Sequence, residues 1–463
     1  MSSCPFHQPF FPPPLKNKAS LFFTFFKKRR SWLDGLYERS YSMKMGRVKM
    51  PGLDLHVVNQ PELIHRVMVE EVKAFPKNKL LEHLLEPLLG ESIFTTNGEQ
   101  WKKQREMLNP SFEMTRISHV FGLMNDAVKE LRVRLNGQGK EHHLDIDPEM
   151  TYVTADIIFR TILSSRLDRH AAIQIIEAFV MFQEETARTA MRTMFKIPRW
   201  LWFLSGERKR IKAGNLVRDV LADIIRPRYD AVTSHTMGEE KDILASLLLV
   251  VDADTGARFS FEEILDQVAM LFLAGHETSA SALTWSMYLL ALYPEIQERA
   301  YQEVMSIVGE GEFDPLHIKQ MALITNIFKE TLRLYPPVGF FARESKDETT
   351  MRDKTIVKGA SVVVAPWLIH RHPDFWDNPN GFDPDRFNDP SSIHKDTYLP
   401  FGMGPRICIG ASFAMQEAVL ILATIIRDFT ITLEDNFVPD VVGRLTVRSA
   451  NGMHIVLTQR EGR

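Results

Sequence analysis

The chain has 463 residues, 44% of them hydrophobic and 25% charged, ordinary globular usage with length enough for a large core. A formal charge of −3, from 56 basic against 59 acidic residues, gives no electrostatic footprint for nucleic acid. The two cysteines, Cys4 and Cys408, stand at opposite ends, which excludes a disulfide framework or a cysteine-built zinc site and fits a reducing, cytoplasmic compartment.

In chain order, residues 1–30 read as a tail. Its apolar run, residues 21–26, is far short of the roughly 20 residues that cross a bilayer. The cluster Lys27, Lys28, Arg29 and Arg30 follows that run, the wrong order for a secretory signal. The tail is expected to rest on a membrane surface or to begin the first helix against the core, without a transmembrane anchor. Residues 31–463 read as one folding unit.

Residues 52–59 alternate around Leu55 and Val57 as a strand. From about residue 60 to 335 helical patterns dominate, including 173–195 and 208–229, with the polar loop SHTMGEEKD after the second. His142-His143 reads as loop, and residues 80–92 as a loop beside a pocket. The longest helix is expected to start at Ser260, with Glu263 three residues on as a capping box, and to stop before Pro294. Roughly 34 residues at 1.5 Å each make a rod of about 50 Å, apolar nearly all round, as in a helix crossing a protein's centre. His276 and Glu277 in its middle exclude a membrane span. Residues 355–357 and 361–365 flank Lys358-Gly359, and 445–447 and 454–457 flank Asn451-Gly452; both pairs read as hairpins. The fold class is mainly α with small β-sheets.

Near the C-terminus, Phe401-Gly-Met-Gly-Pro-Arg-Ile-Cys-Ile-Gly410 sets Cys408 among glycines. A lone cysteine is most often a small buried hydrophobe. Here Gly402, Gly404 and Gly410 permit close backbone approach. The helix GASFAMQEAVLILATIIRDF starts beside the sulfur, where N–H groups and the dipole favour an anion. Arg406 adds charge two residues away. A stabilised thiolate in an apolar slot is what a haem iron with an axial sulfur needs. Phe401, Gly404, Arg406, Cys408 and Gly410 match F-x-x-G-x-R-x-C-x-G, and in them the chain resembles the haem-thiolate cytochrome P-450 monooxygenases.

That resemblance runs over roughly residues 30 to 460. It implies the cytochrome P-450 fold, a triangular prism with haem b between the long helix and the cysteine loop and helix, soluble and bacterial in type, without a fused reductase. Ala274-Gly-His-Glu-Thr-Ser279 resembles the segment that crosses the oxygen-binding face. There Thr278 and Glu277 are implied to deliver protons, and Ala274 and Gly275 to leave room for the gas. Lys329-Glu-Thr-Leu-Arg333 and Pro384-Asp-Arg-Phe387 imply a buried structural triad of Glu330, Arg333 and Arg386, with Asp385 where the family commonly has Glu. Trp101, Arg105, Arg343 and Arg406 are implied to anchor the haem propionates. His370 and His372 are taken as structural, and His276 is not taken as a ligand.

The implied reaction inserts one atom of dioxygen into an apolar molecule such as a fatty acid, terpenoid, carotenoid or steroid. Met270, Ala274, Val338, Phe340, Phe341, Leu445 and Thr446 are the expected pocket wall. The stretch GLDLHVVNQ lacks the Arg and Tyr with which some bacterial fatty-acid hydroxylases hold a carboxylate. Two electrons come from a separate partner, a ferredoxin with its reductase, docking near Lys102, Lys103 and Arg406 on a monomeric protein. Two rival classes stay open. One is a peroxide-driven or rearranging haem-thiolate enzyme, against which Glu277-Thr278 counts; the other is a non-catalytic haem sensor or carrier.

Overall fold

The structure, a computed structural model, describes residues 8–17, 31–50, 53–164, 166, 169–194, 206–234 and 242–460. Cys4, the apolar run 21–26 and the basic cluster behind it lie outside the described residues.

The long helix begins where its capping sequence puts it. The Ser260 hydroxyl accepts from the Glu263 N–H at 3.3 Å, and the Glu263 carboxylate accepts from the Ser260 N–H at 2.8 Å, satisfying two of the orphan donors of a helix start. The helix then runs over Phe261–Leu292, until Tyr293 leaves helical geometry just before Pro294. In chain order the helices that frame the site are α1 (Lys79–Leu89), α2 (Gly98–Leu108), α3 (Met114–Asn136), α4 (Ile146–Leu163), α5 (Arg169–Met194), α6 (Glu207–Thr233), α7 (Phe261–Leu292), α8 (Ala322–Leu334) and α9 (Ala411–Asp428). Residues expected as a pocket loop, 80–92, therefore largely form α1, capped by the Asn78 side chain accepting from the Leu80 N–H. From residue 264 to 290 every residue of α7 is buried except Ala274, Gly275 and Thr278. Helix α4 lies along it, with the Thr154 hydroxyl donating to the His276 carbonyl at 3.1 Å.

The sheets are small. Strands β1 (Met45–Met50), β2 (Leu53–Val58), β7 (Ser361–Val364) and β4 (Phe341–Glu344) form one sheet in the order β1-β2-β7-β4. Its β2–β7 pairing is parallel, with Leu55 opposite Ser361 and Val58 opposite Val364. Strands β3 (Glu141–Asp145), β11 (His454–Gln459) and β8 (Phe429–Leu433) form another, so His142 and His143 are strand residues rather than loop. Neither expected hairpin forms. β6 (Lys354–Ile356) pairs with β5 (Thr349–Met351) through an Arg352-Asp353 turn. β10 (Val447–Ser449) pairs with β9 (Val441–Gly443) while β11 goes to β3 and β8. In both cases the strand after the Gly turn pairs with two strands from elsewhere in the chain, β7 with β2 and β4 and β11 with β3 and β8, and tertiary pairing outweighs the local turn signal.

Residues 8–17 neither start a helix nor stand free. The Phe10 N–H donates to the Tyr288 hydroxyl at 3.0 Å, and the Tyr335 hydroxyl donates to the Phe10 carbonyl. The Leu15 N–H donates to the Leu36 carbonyl at 3.1 Å. Part of the tail is thus strapped to α7 and α8. Among the described residues no helix is long and apolar enough to cross a membrane.

Candidate functional site

The cysteine loop is shaped by two glycines in left-handed geometry, Gly402 at φ 73° and Gly404 at φ 70°. A Cβ on Gly404 would stand 2.3 Å from the Met68 carbonyl oxygen, so both the dihedral and the space demand glycine. The Cys408 N–H donates to the Phe401 carbonyl at 2.9 Å and closes the loop. Gly410 is different: its φ of −89° is ordinary, and a Cβ there would meet nothing within 4 Å. Open space lies at Gly410, two residues past the cysteine. Cys408 itself has accessible surface, yet enough protein surrounds it that burial pushes its thiol up, against a Gly410 backbone bond and the Arg105 charge. Accessible surface within dense surroundings marks the floor of a recess. The nearby charge that opposes the rise of the thiol is that of Arg105, a residue the family resemblance places at the propionates rather than at the sulfur.

A second opening lies along α7. Ala274 and Thr278, one turn apart, share a face and keep partial exposure in mid-core. The Thr278 hydroxyl donates back to the Ala274 carbonyl at 2.7 Å, the resting geometry of a helical threonine. Gly275 does not serve this opening. A Cβ on it would lie 2.4 Å from Ile158 Cδ1, so its smallness lets α4 approach α7. Of the expected pocket residues, Val338, Phe340, Phe341 and Leu445 are half-buried, whereas Met270 and Thr446 are buried.

Four cations converge on the same region. The Arg406 guanidinium lies 5.2 Å from the centre of the Trp101 ring, and its buried Nε and Nη1 find no hydrogen-bond partner. Arg105 donates from Nη1 to the Ile407 carbonyl at 2.8 Å. Arg343, on β4, is 8% exposed and is pushed down to about 10 by burial and by Arg406. Lys77, bridged to Arg343 through the backbone, was not foreseen; it carries no motif, and only the tertiary fold brings it here. Burial, then Arg406, Arg343 and Arg105, hold its amine well below the usual range, with Glu82 opposing. A buried Arg343 and three half-buried cations gathered around it, with two Arg406 nitrogens lacking a hydrogen-bond partner, fit a ligand bearing carboxylates. The open space at Gly410 and the accessible sulfur of Cys408 fit the rest of a haem.

Comparison with known proteins decides the family. Residues 12–456 match the family model described as Cytochrome P-450. The chain belongs to the cytochrome P-450 family. It shares 30% identity over 373 residues with cyclooctatin synthase of Streptomyces melanosporofaciens, covering 79% of this chain and 78% of that protein. It shares 29% over 425 residues with cytochrome P-450 72A68 of Medicago truncatula, 87% and 78% of the two chains. With cytokinin hydroxylase of Arabidopsis thaliana it shares 28% over 403 residues, 86% and 78%. The fold is accordingly the cytochrome P-450 fold. The protein is a haem-thiolate monooxygenase that uses haem b, dioxygen and a redox partner.

Two buried Glu–Arg pairs complete this cytochrome P-450. On α8, Glu330 and Arg333 are wholly buried. Arg333 gives Glu330 two bonds of 2.7 Å and spends its other donors on the carbonyls of His370, Pro379 and Gly381 at 2.7–2.9 Å. Arg386 joins at 3.4 Å, its Nη1 bound to the Asp377 carbonyl, so the three expected residues do meet. Asp385 turns outward to Arg299 at 2.8 Å. The second pair is on α7. Glu277 accepts from the Thr446 hydroxyl at 2.6 Å and from Arg448 Nη2 at 2.8 Å, and Arg448 Nη1 also reaches Asp147 at 2.6 Å. Burial alone would raise Glu277, but the Arg448 charge outweighs it and holds the carboxyl below its usual range. His276 beside it is kept neutral by burial, its ring against Phe179 and Phe272.

Proposed function

We propose that Cys408 is the axial haem ligand, that Trp101, Arg105, Arg343, Arg406 and Lys77 hold the propionates, and that Thr278 and Glu277 govern proton entry during hydroxylation or epoxidation of an apolar small molecule. The observation that carries this reading is the recess floored by the Cys408 sulfur and rimmed by cations lacking anions. When bound, the haem supplies dioxygen activation, and a thiolate ligand favours O–O cleavage. The chain's own residues do the rest. Gly402 and Gly404 fix the loop that presents the sulfur, and Phe401 packs beside it. Ala274 keeps its face of α7 small. The Thr278 hydroxyl stands on that face, able to exchange its bond to the Ala274 carbonyl for one to the pocket. Met270, Val338, Phe340, Phe341 and Leu445 give an apolar wall that orients a substrate and excludes water.

This wall supports a lipid or terpenoid-like substrate. We read the electron donor as a ferredoxin-type protein docking over the cysteine loop, where Ile407 and Lys102 are exposed; Lys103 is partly engaged with Asp252 at 3.7 Å. We also read residues 31–463 as one domain of a monomeric, cytoplasmic enzyme, with peripheral membrane contact through the Phe- and Lys/Arg-rich part of its tail. The test is turnover with ferredoxin, its reductase and a lipid panel chosen by the spin-state shift on binding. Oxygenated product is expected from at least one binder, and Thr278→Ala should keep the haem but send most electrons to hydrogen peroxide. Unchanged coupling in Thr278→Ala would refute its role.

A further inference from the structure

Helix α5 carries two polar atoms that the fold leaves without partners. Gln183 Nε2 and Thr186 Oγ1 are both covered by protein, and neither has a hydrogen-bond partner. At i and i+3 they are neighbours on the helix surface. Thr186 continues a stripe of the buried Ile175, Phe179 and Phe182, each one turn from the next, and Gln183 follows Phe179 on the flank of that stripe. Val180, Met181 and Glu184, which meet solvent, stand on other faces. Thr186 nevertheless keeps accessible surface, so that surface opens inward. Its hydroxyl is the covered part, and a single rotamer change, with no partner to give up, brings it to the open side.

The neighbours of α5 say what the surface opens onto. The Phe179 ring meets the His276 ring at 5.4 Å between centroids, so α5 crosses α7 at the height of Ala274 and Thr278. Past the crossing, the Thr189 hydroxyl reaches Glu207 at the start of α6 at 3.4 Å, and Arg210, one turn on, donates to the Leu84 carbonyl of α1. Helix α1 leads to the Ile93 N–H, which donates to Gln267 Oε1 of α7 at 3.1 Å. Gln267 precedes Ala274 by two turns on the same face. The second half of α5 therefore lies on the side of α7 that bears the opening, with Gln183 and Thr186 roughly 6 and 10 Å beyond the crossing.

An apolar pocket holding a few polar groups uses them to fix its ligand. A hydrocarbon would leave both groups buried and unpaired. A carboxylate would need a cation, and among the described residues Arg188 is paired with Glu185 and Arg210 with Glu207. A neutral oxygen suits both groups: it accepts from the Gln183 amide, while the Thr186 hydroxyl donates or accepts. We propose that Gln183 and Thr186 are the polar anchor of the substrate pocket and select an apolar molecule bearing a hydroxyl or carbonyl group, against hydrocarbons and fatty acids. This rests on the reading of the protein as a monooxygenase of an apolar small molecule and narrows its substrate class.

The test is binding to the haem-loaded protein, read by the spin-state shift, with two matched series: abietadiene, abietadienol and abietic acid, then hexadecane, hexadecanol and hexadecanoic acid. In the series that shifts the spin state more, the alcohol should bind about tenfold tighter than the hydrocarbon or the acid. Gln183→Leu/Thr186→Val should bring the alcohol to the affinity of the hydrocarbon, each single variant should lose part of the preference, and Thr186→Ser should keep it. The melting temperature of the substrate-free double variant should stay level or rise, because apolar replacement removes an unpaired group. A lowered melting temperature with the alcohol preference intact would show a structural role and overturn the proposal. So would a wild type that binds the hydrocarbon or the acid as tightly as the alcohol, which leaves the apolar-substrate reading standing. If neither series shifts the spin state, that reading fails, and the anchor with it.

Discussion

The two buried Glu–Arg pairs have the same chemistry and opposite surroundings. At Glu330–Arg333 both partners are 0% exposed, all of the arginine's donors are taken by one carboxylate and three carbonyls, and Arg386 and the Asp383 N–H further secure the glutamate. At Glu277–Arg448 the arginine is divided between two carboxylates and one of these meets solvent. A satisfied, dry pair is a brace. A shared pair with a wet end can exchange partners at smaller cost. Helix α9 supplies a third case: Glu417, fully buried opposite the Ser279 hydroxyl without an arginine, is pushed up to about 8 by burial. The three carboxylates differ in their neighbours, not in their depth.

The comparison breaks most visibly at the brace. Arg333→Ala leaves the wholly buried Glu330 with only the 3.4 Å Arg386 contact and the Asp383 N–H and should cost about 3–5 kcal/mol, read as a collapse of thermal stability and of haem retention. The same truncation at Arg448 should cost about 1–3 kcal/mol, because Asp147 can turn to water; equal losses in the two variants would erase the distinction drawn here. Gly275→Ala tests whether α7 is held in place by its contact with α4. Forcing a methyl against Ile158 should cost about 1–3 kcal/mol by thermal melting, with partial recovery in Gly275→Ala/Ile158→Val.

The smallest effect is a slope. Glu417 has a folded pKa above its unfolded one, so its contribution to stability is greatest at low pH and is lost as pH rises from the ordinary carboxylate range toward about 8. Glu417→Gln should flatten that decline. Glu277 has the opposite sign: held below its usual range, it contributes stability above that range and loses it as pH falls through the folded value. Melting temperatures of Glu417→Gln and Glu277→Gln across pH should therefore deviate from the wild type in opposite directions.

What the sequence made legible was chemistry packed into contiguous stretches. The cysteine loop, the capping box at Ser260 and the E-x-x-R turn of α8 each carry their spacing within ten residues or fewer. Trp101, Arg105, Arg343 and Arg406 could be named only because a family resemblance supplied their meeting place. What was not legible depends on distance along the chain. Residues 147, 277 and 448 come together only when α4, α7 and β10 are assembled, and Lys77 reaches the cation cluster only through its bridge to β4. Gly275 misled for a related reason: a small residue beside a reactive motif looks like room for a ligand, whereas the helix behind it sets the requirement. Both hairpin expectations failed because a turn dipeptide says where the chain bends, not which strand it then joins.

Every step of this account starts from a sulfur held at the floor of the recess. The most direct measurement is the absorption spectrum of the reduced carbon-monoxide complex, wild type against Cys408→Ser, with haem content determined in parallel. The wild type should give the strongly red-shifted band of a thiolate-ligated haem, and Cys408→Ser should lose it. A red-shifted band that survives the substitution would contradict the assignment of Cys408.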